Sequence, residues 1–156
     1  MRPPRFAADR PMATQLGDMG SALDIHRDVR RGAVSVLEVV TTLADRVAKF
    51  NPTLNALVDF DSAVAFAEAR RVDQSIASGI VGPLAGVPFT VKDCLWVQGR
   101  RATQGSLLFR DFVAPCDAIA VERLRAAGAV FFGTTNCSEF ACKGVTTPIV
   151  SPKDIS

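Results

Sequence analysis

A lysine and an aspartate stand side by side at Lys92 and Asp93, directly after the apolar run 87–91 (VPFTV). Gly82, Pro83 and Gly86 force a turn ahead of that run, so it reads as a strand that enters the core and delivers two charged groups at its far end. Only four of the eighteen basic residues are lysines, so this one is not surface filler from a lysine-rich composition. An ammonium carried to a poorly hydrated strand end must find a partner or give up its proton, and a neutral lysine amine is a general base. The competing reading is a local Lys92–Asp93 ion pair, or a charge left in solvent. Cys94 offers other chemistry, since a neighbouring ammonium lowers a thiol pKa, although Asp93 opposes the thiolate. Further along, Thr135, Asn136 and Glu139 form the polar exit of a second apolar run. If the two runs pair in parallel, these residues share the carboxyl edge with Lys92, where ligands gather in parallel α/β sheets. Turn formation and capping account for Asn136 at least as well as ligand contact does.

Other catalytic templates are poorly provided for. His26 is the only histidine, and it falls in SALDIHRDVRRG, a short charged helix where a solvated or locally capped imidazole is expected. Cys94, Cys116, Cys137 and Cys142 show no C-x-x-C spacing, so reduced, partly buried thiols are expected rather than a metal centre. The net charge is +2, and the arginine pairs at 30–31, 70–71 and 100–101 are scattered. No basic stripe with interleaved aromatics suggests nucleic acid, and no apolar run approaches the length of a membrane span. The first twenty residues are basic and proline-containing but lack the apolar stretch of a secretory signal. They read as a flexible segment of a cytoplasmic chain, with Met12 and Met19 as alternative starts.

The elements that must position the lysine follow from periodicity. With 156 residues, 48% hydrophobic and 22% charged, the chain reads as one globular domain. Gly32 closes a first helix as a left-handed residue. Ser35 and Glu38 have capping-box spacing, and Val36, Val40, Leu43, Val47 and Phe50 continue a second, amphipathic helix that Asn51-Pro52 is expected to stop. Residues 55–60 (NALVDF) read as a short strand. A third helix is expected over 63–78, with Ala65, Ala69, Val72 and Ile76 on one face and Gly79 beyond its end. Asp117 is placed to cap a helix over 118–127 that Gly128 closes, and residues 129–132 (AVFF) follow as a buried strand. Strand, crossover, helix and strand predict a βαβ-like unit with a parallel pair. After it, residues 133–136 are expected to turn and residues 137–142 to begin a further helix.

Taken together, GPLAGVPFTVKD, then Gly105-Ser106, then VERLRAAGAVFFGTTNCSEFACKGVTT resemble the amidase signature family over about residues 21–147. FNPTLNALV matches that family's usual N-terminal part. The order and spacing of these blocks is far more specific than any one of them. The resemblance implies an α/β fold in which N-terminal helices precede part of a mixed β-sheet covered by helices. It implies hydrolysis of a carboxylic amide without metal or organic cofactor, by a serine nucleophile, a bridging serine in a cis peptide, and a lysine. Lys92 occupies the lysine's position. Asp93, Gly105, Ser106, Asn136 and Glu139 match motif positions as supporting residues that hold the lysine and shape the site. A free lysine titrates at about 10.4, and burial at the strand end is expected to bring Lys92 towards about 7 to 8.

The family's Gly/Ser-rich block of the form GGSSGG, which supplies the bridging serine and oxyanion-hole amides, has no counterpart in these residues. The tail PIVSPKDIS (148–156) diverges from the family pattern, and Ser151 and Ser156 match no nucleophile motif. Three segments are therefore expected: a flexible 1–20, the N-terminal portion of an amidase domain over 21–147, and a divergent tail over 148–156. A truncated product or half of a split enzyme, inactive towards a small-molecule amide until completed, fits this pattern. The alternative is a non-catalytic subunit or amidotransferase half that meets a complementing chain, or a second copy, through the apolar edge formed by VPFTV and AVFF.

Overall fold

The computed structural model describes residues 20–144; the first nineteen residues and the tail from residue 148, for which separate segments are expected, lie outside them. In the described residues four helices and three strands run in the order α1 (Ala22–Arg30), α2 (Val36–Leu54), β1 (Leu57–Asp59), α3 (Ser62–Ala77), β2 (Pro88–Lys92), α4 (Ile119–Ala126) and β3 (Val130–Thr135). The sheet order is β1-β3-β2, with β3 antiparallel to β1 and parallel to β2, which is the mixed sheet the resemblance implies. One face of β3 packs Val130 and Phe132 against Val36, Val40, Ala65, Ala69 and Val72 of α2 and α3. The other face joins Phe131 to Val91, Val97 and Val121, below α4. The small alanines of α3 let that helix lie close on the sheet.

Helix α2 shows how local and distant groups share one task. Ser35 and Glu38 form the reciprocal capping box. Asp73 of α3 then accepts from the next two free amides, Val36 N at 2.9 Å and Leu37 N at 3.1 Å. The helix is not stopped at Asn51-Pro52; it runs on to Leu54 and ends at Asn55 in the left-handed conformation, φ 52°. Asn51 does another job. Its Oδ1 accepts from Ala56 N and Leu57 N, and its Nδ2 donates to Leu57 O, all at 2.9 Å, so one amide side chain imitates a neighbouring strand and sets where β1 begins.

Other expectations are shifted for legible reasons. Asp117 does not cap α4, whose N-cap Ala118 has no side-chain cap; its carboxylate instead accepts from Gln98 N at 2.7 Å and lies 3.5 Å from Arg125. The strand after α4 continues through Gly133 to Thr135 rather than turning, because β1 approaches so closely that a Cβ on Gly133 would stand 3.1 Å from Asp59 O. In place of a helix start at 137–142 there is a single 3₁₀ turn, Glu139–Ala141. His26 is half-buried and not capped within its own helix: its Nδ1 lies 3.1 Å from Ala85 O and fastens α1 to the turn before β2. That turn fits against the end of α4, where Leu84 N donates to Ala127 O at 2.9 Å; a Cβ on Gly82 would meet the same carbonyl oxygen at 2.2 Å. AVFF is not an edge, since β3 has partners on both sides, but the outer edge of β2 is unpaired in the described residues, with Thr90 and Lys92 exposed.

Candidate functional site

The carboxyl ends of β2 and β3 bring the two halves of the expected site together. Lys92 pairs in register with Thr135, and one further ladder bond, Asp93 N to Thr135 O at 3.0 Å, closes the parallel pair. The neighbours Lys92 and Asp93 then part company as alternation requires: Lys92 is exposed and Asp93 is 4% exposed. The burial anticipated for Lys92 therefore falls on the aspartate, because the face of β2 that carries Thr90 and Lys92 has no layer over it in the described residues.

Asp93 gathers the loop that follows. Its Oδ1 accepts from Thr103 N at 2.9 Å, and its Oδ2 from the Thr103 hydroxyl and from Gly105 N at 3.4 Å. Its backbone carbonyl takes Gln104 N at 3.1 Å. Thr103, 2% exposed, is the residue that sequence reasoning missed. Nothing local marks it, since its partner lies ten positions upstream. Burial lifts the Asp93 carboxyl above the usual carboxylate range; the hydrogen bonds from Thr103 and Gly105 pull it back only part of the way.

Asp93→Ala removes the common acceptor of three buried donor groups and is expected to cost about 3 kcal/mol at neutral pH. A group whose folded pKa is raised stabilises the fold fully below its unfolded value and loses that contribution as pH rises through the folded one. The stability gap between wild type and Asp93→Ala should therefore widen from neutral pH towards about pH 4. Paired urea titrations at the two pH values check it.

Gly105 and Ser106 then clamp this loop to the segment after β3. Gly105 is left-handed, φ 66°, and its Cα lies so near the next segment that a Cβ would stand 2.6 Å from Cys137 O. Ser106, 4% exposed, donates from Oγ to Glu139 Oε1 at 2.9 Å, and Phe140 N donates to Gln104 O at 2.8 Å. Gln104, Phe140 and Ala141 all adopt positive φ, 53°, 50° and 55°. Non-glycine residues in that conformation persist only where their surroundings over-determine it. Asn136 is held through its backbone, N–H to Ala56 O at 2.9 Å, at the junction of β3 and the clamp. Lys92 thus emerges between two arms that return to one fastening. Trp96, Phe112, Phe109 and Phe140 form a chain of ring contacts with centroids 5.5–6.2 Å apart along the outside of this region.

A cleft of about 480 Å³ lies elsewhere, lined by Asp59, Asp61, Arg100, Arg101 and Val113 among others. Its main feature is the bidentate pairing of Arg100 with Asp59, which ties β1 to the loop after β2. The four cysteines are free thiols. No cluster of potential metal ligands occurs among the described residues, and no helix among them is long and apolar enough to cross a membrane.

Fold and site define the class: an α/β protein that presents a strand-end lysine beside a buried, loop-organising aspartate. The family model described as Amidase matches residues 38–152, and the chain belongs to the amidase signature family. It is 44% identical over 121 residues to a glutamyl-tRNA(Gln) amidotransferase subunit from Azoarcus sp. (strain BH72), an alignment covering 78% of this chain and 25% of that protein. Among solved structures, native peptide amidase from Stenotrophomonas maltophilia superposes with a TM-score of 0.73 at 30% identity, over 83% of this chain and 26% of its own. A chain from a vestigial protein complex, described as revealing the evolutionary origins of an s-triazine catabolic enzyme, superposes with a TM-score of 0.79 at 31% identity, over 83% of this chain and 29% of its own. The chain spans about a quarter of the length of the curated relatives it matches.

Proposed function

We propose that this chain contributes the lysine of a Ser–cisSer–Lys set to the hydrolysis of a carboxylic amide C–N bond. One observation carries the reading: a single lysine leaves a parallel strand pair at its carboxyl end, between two loops fastened to each other, in a chain of the amidase signature family. Lys92, as a free amine, takes a proton from the bridging serine. That serine deprotonates the nucleophile, which attacks the amide carbonyl, forms a C–O bond and expels the amine to leave an acyl-enzyme; water then releases the acid. Asp93, Thr103, Gly105, Ser106 and Glu139 act indirectly, by holding the two loops between which the lysine emerges. Asn136 supports the same edge through its backbone. The bridging serine belongs to the family's Gly/Ser-rich block and the nucleophile follows somewhat later; these residues contain neither, so the isolated chain is expected not to turn over amides. The reading also requires that the exposed face bearing Thr90 and Lys92 be covered when the site is assembled, since a lysine in water is a poor base at neutral pH.

The test is acyl trapping. This chain is joined to the remaining length of an amidase-signature polypeptide and supplied with aliphatic, aryl and glutamine amides. Ammonia or amine release, with hydroxamate formed when hydroxylamine competes with water, supports the reading. Release of neither product from a folded, monodisperse protein overturns it. A second reading, a subunit that works within a larger assembly, is favoured by the amidotransferase subunits and the vestigial-complex chain among its relatives. Co-purification of a stable second polypeptide with the chain distinguishes it.

A further inference from the structure

Among the described residues the sheet has two outer edges, and a side chain closes only one of them. In β1 the backbone of Leu57 faces outwards, because Ala56 O already accepts from Asn136 N beyond β3. Asn51 meets it: Oδ1 accepts from Leu57 N and Nδ2 donates to Leu57 O, both at 2.9 Å. β2 has no such cover among the described residues. Val87 O accepts from Val130 N, and Asp93 N donates to Thr135 O, so both residues face β3. The bulge in this ladder falls on β3, which leaves alternation along β2 unbroken. The backbone groups of Pro88, Thr90 and Lys92 therefore face outwards. Proline has no N–H, and the Lys92 carbonyl already accepts from Leu95 N at 2.8 Å. What remains on this edge is Pro88 O, the N–H and carbonyl of Thr90, and Lys92 N, with Thr90 and Lys92 exposed.

We propose that this edge pairs with the same edge of a second copy of the chain, β2 against β2, antiparallel about a two-fold axis at Thr90. Thr90 of each copy then donates to and accepts from Thr90 of the other, and Lys92 N of each donates to Pro88 O of the other. The two positions that lack a free group coincide, since the missing N–H of Pro88 faces the Lys92 carbonyl that Leu95 already occupies. An unrelated antiparallel strand would instead set a carbonyl against Pro88 and an amide against the occupied carbonyl of Lys92, and both would go unmet. Proline and lysine ordinarily deter pairing at sheet edges; here they narrow the antiparallel partner to a strand with the same two features. Charge agrees with this register. Each Lys92 stands opposite Pro88, so the two ammonium groups lie a strand length apart, roughly 13 Å, beyond the screening length of about 8 Å at physiological ionic strength. An isologous contact of this kind closes on itself as a dimer. The strand has only 5 residues, so the contact belongs with small, reversible interfaces and a micromolar dissociation constant. The inference stands apart from the amide reading, because it concerns backbone groups of the chain by itself and its test measures association.

The experiment follows the 156-residue chain by sedimentation from low to high micromolar concentration, with hydrogen exchange at both ends of that range. The expected result is a reversible equilibrium between monomer and dimer. The amides of Thr90 and Lys92 should gain protection as concentration rises, while that of Val91, which faces β3, is protected throughout. Thr90→Pro removes the donors at the axis without touching the ladder to β3, and should raise the dissociation constant about tenfold or more. Thr90→Lys leaves the backbone free and sets like charges opposite each other at the axis. It should weaken the dimer as well, so the outcome does not hang on the folding of the proline variant. A chain that stays monomeric at high micromolar concentration, a dimer that both variants leave unchanged, or growth into larger species overturns the inference. So does protection of Thr90 and Lys92 in the monomer, which would mean that another part of this chain covers the edge, and so does a different polypeptide that co-purifies and protects them.

Discussion

Replacing Lys92 by alanine, in a protein that carries this chain joined to the rest of an amidase-length polypeptide, is expected to lower kcat by about 10³-fold, the middle of the range for losing a positioned general base. In this chain by itself the same substitution should leave the melting temperature nearly unchanged, because Lys92 is exposed here and surface substitutions of this kind shift stability by at most about 0.5 kcal/mol. Lys92→Arg should not rescue the activity: a guanidinium stays protonated and cannot accept a proton. KM should change little, since the lysine acts on a serine and not on the substrate. Single-turnover acylation with an activated ester or anilide reads the step directly. A variant that keeps activity within about tenfold of wild type would remove the lysine from the mechanism while leaving the family membership untouched.

Gly105→Ala is expected to be the most damaging single substitution around the site, lowering stability by about 3–5 kcal/mol. Two costs add. A Cβ at φ 66° meets its own backbone, and the same atom would stand 2.6 Å from Cys137 O, where no side chain can move aside because the contact is with main chain. The loop can retreat only by giving up its hold on Asp93 or the Ser106–Glu139 bond. Against a typical domain stability of about 5–15 kcal/mol, such a loss consumes much of the margin. A shift in the urea midpoint at unchanged slope measures it. Ser106→Ala, which removes the bond to Glu139 and the longer one from Leu108 N but adds no atom, should cost less, and the contrast between the two separates steric closure from hydrogen bonding at the clamp.

The parts legible in sequence are those specified by neighbours along the chain. The capping box at Ser35 and Glu38, the alanine face of α3, and Gly32 and Gly79 beyond the helix ends all rest on short-range chemistry; the parallel pairing of β2 with β3 was legible from the order strand, crossover, helix and strand. What was not legible depends on partners far away. Helix α2 runs past Pro52 while Asn51 turns its side chain to β1, and Asp117 abandons the helix beside it for Gln98 and Arg125. The burial of Asp93 in place of Lys92 is the instructive case. Alternation along β2 requires opposite faces for the two residues, but which face is covered depends on layers outside the strand. Thr103 escaped notice for the same reason, since its meaning comes wholly from a carboxylate ten residues earlier.

The cap that Asp73 places on α2 links the lifetimes of two helices. Helix termini normally fray one amide at a time, but the amides of Val36 and Leu37 are held by a side chain rooted in the middle of α3. Local unwinding at the start of α2 must therefore break a contact with another helix, and unwinding of α3 exposes two donors that nothing else in α2 satisfies. The two helices behave as one cooperative unit with a shared opening free energy. Hydrogen exchange at those two positions then reports the integrity of the helical layer behind β3, a different part of the molecule from the outer strand edge that carries Lys92.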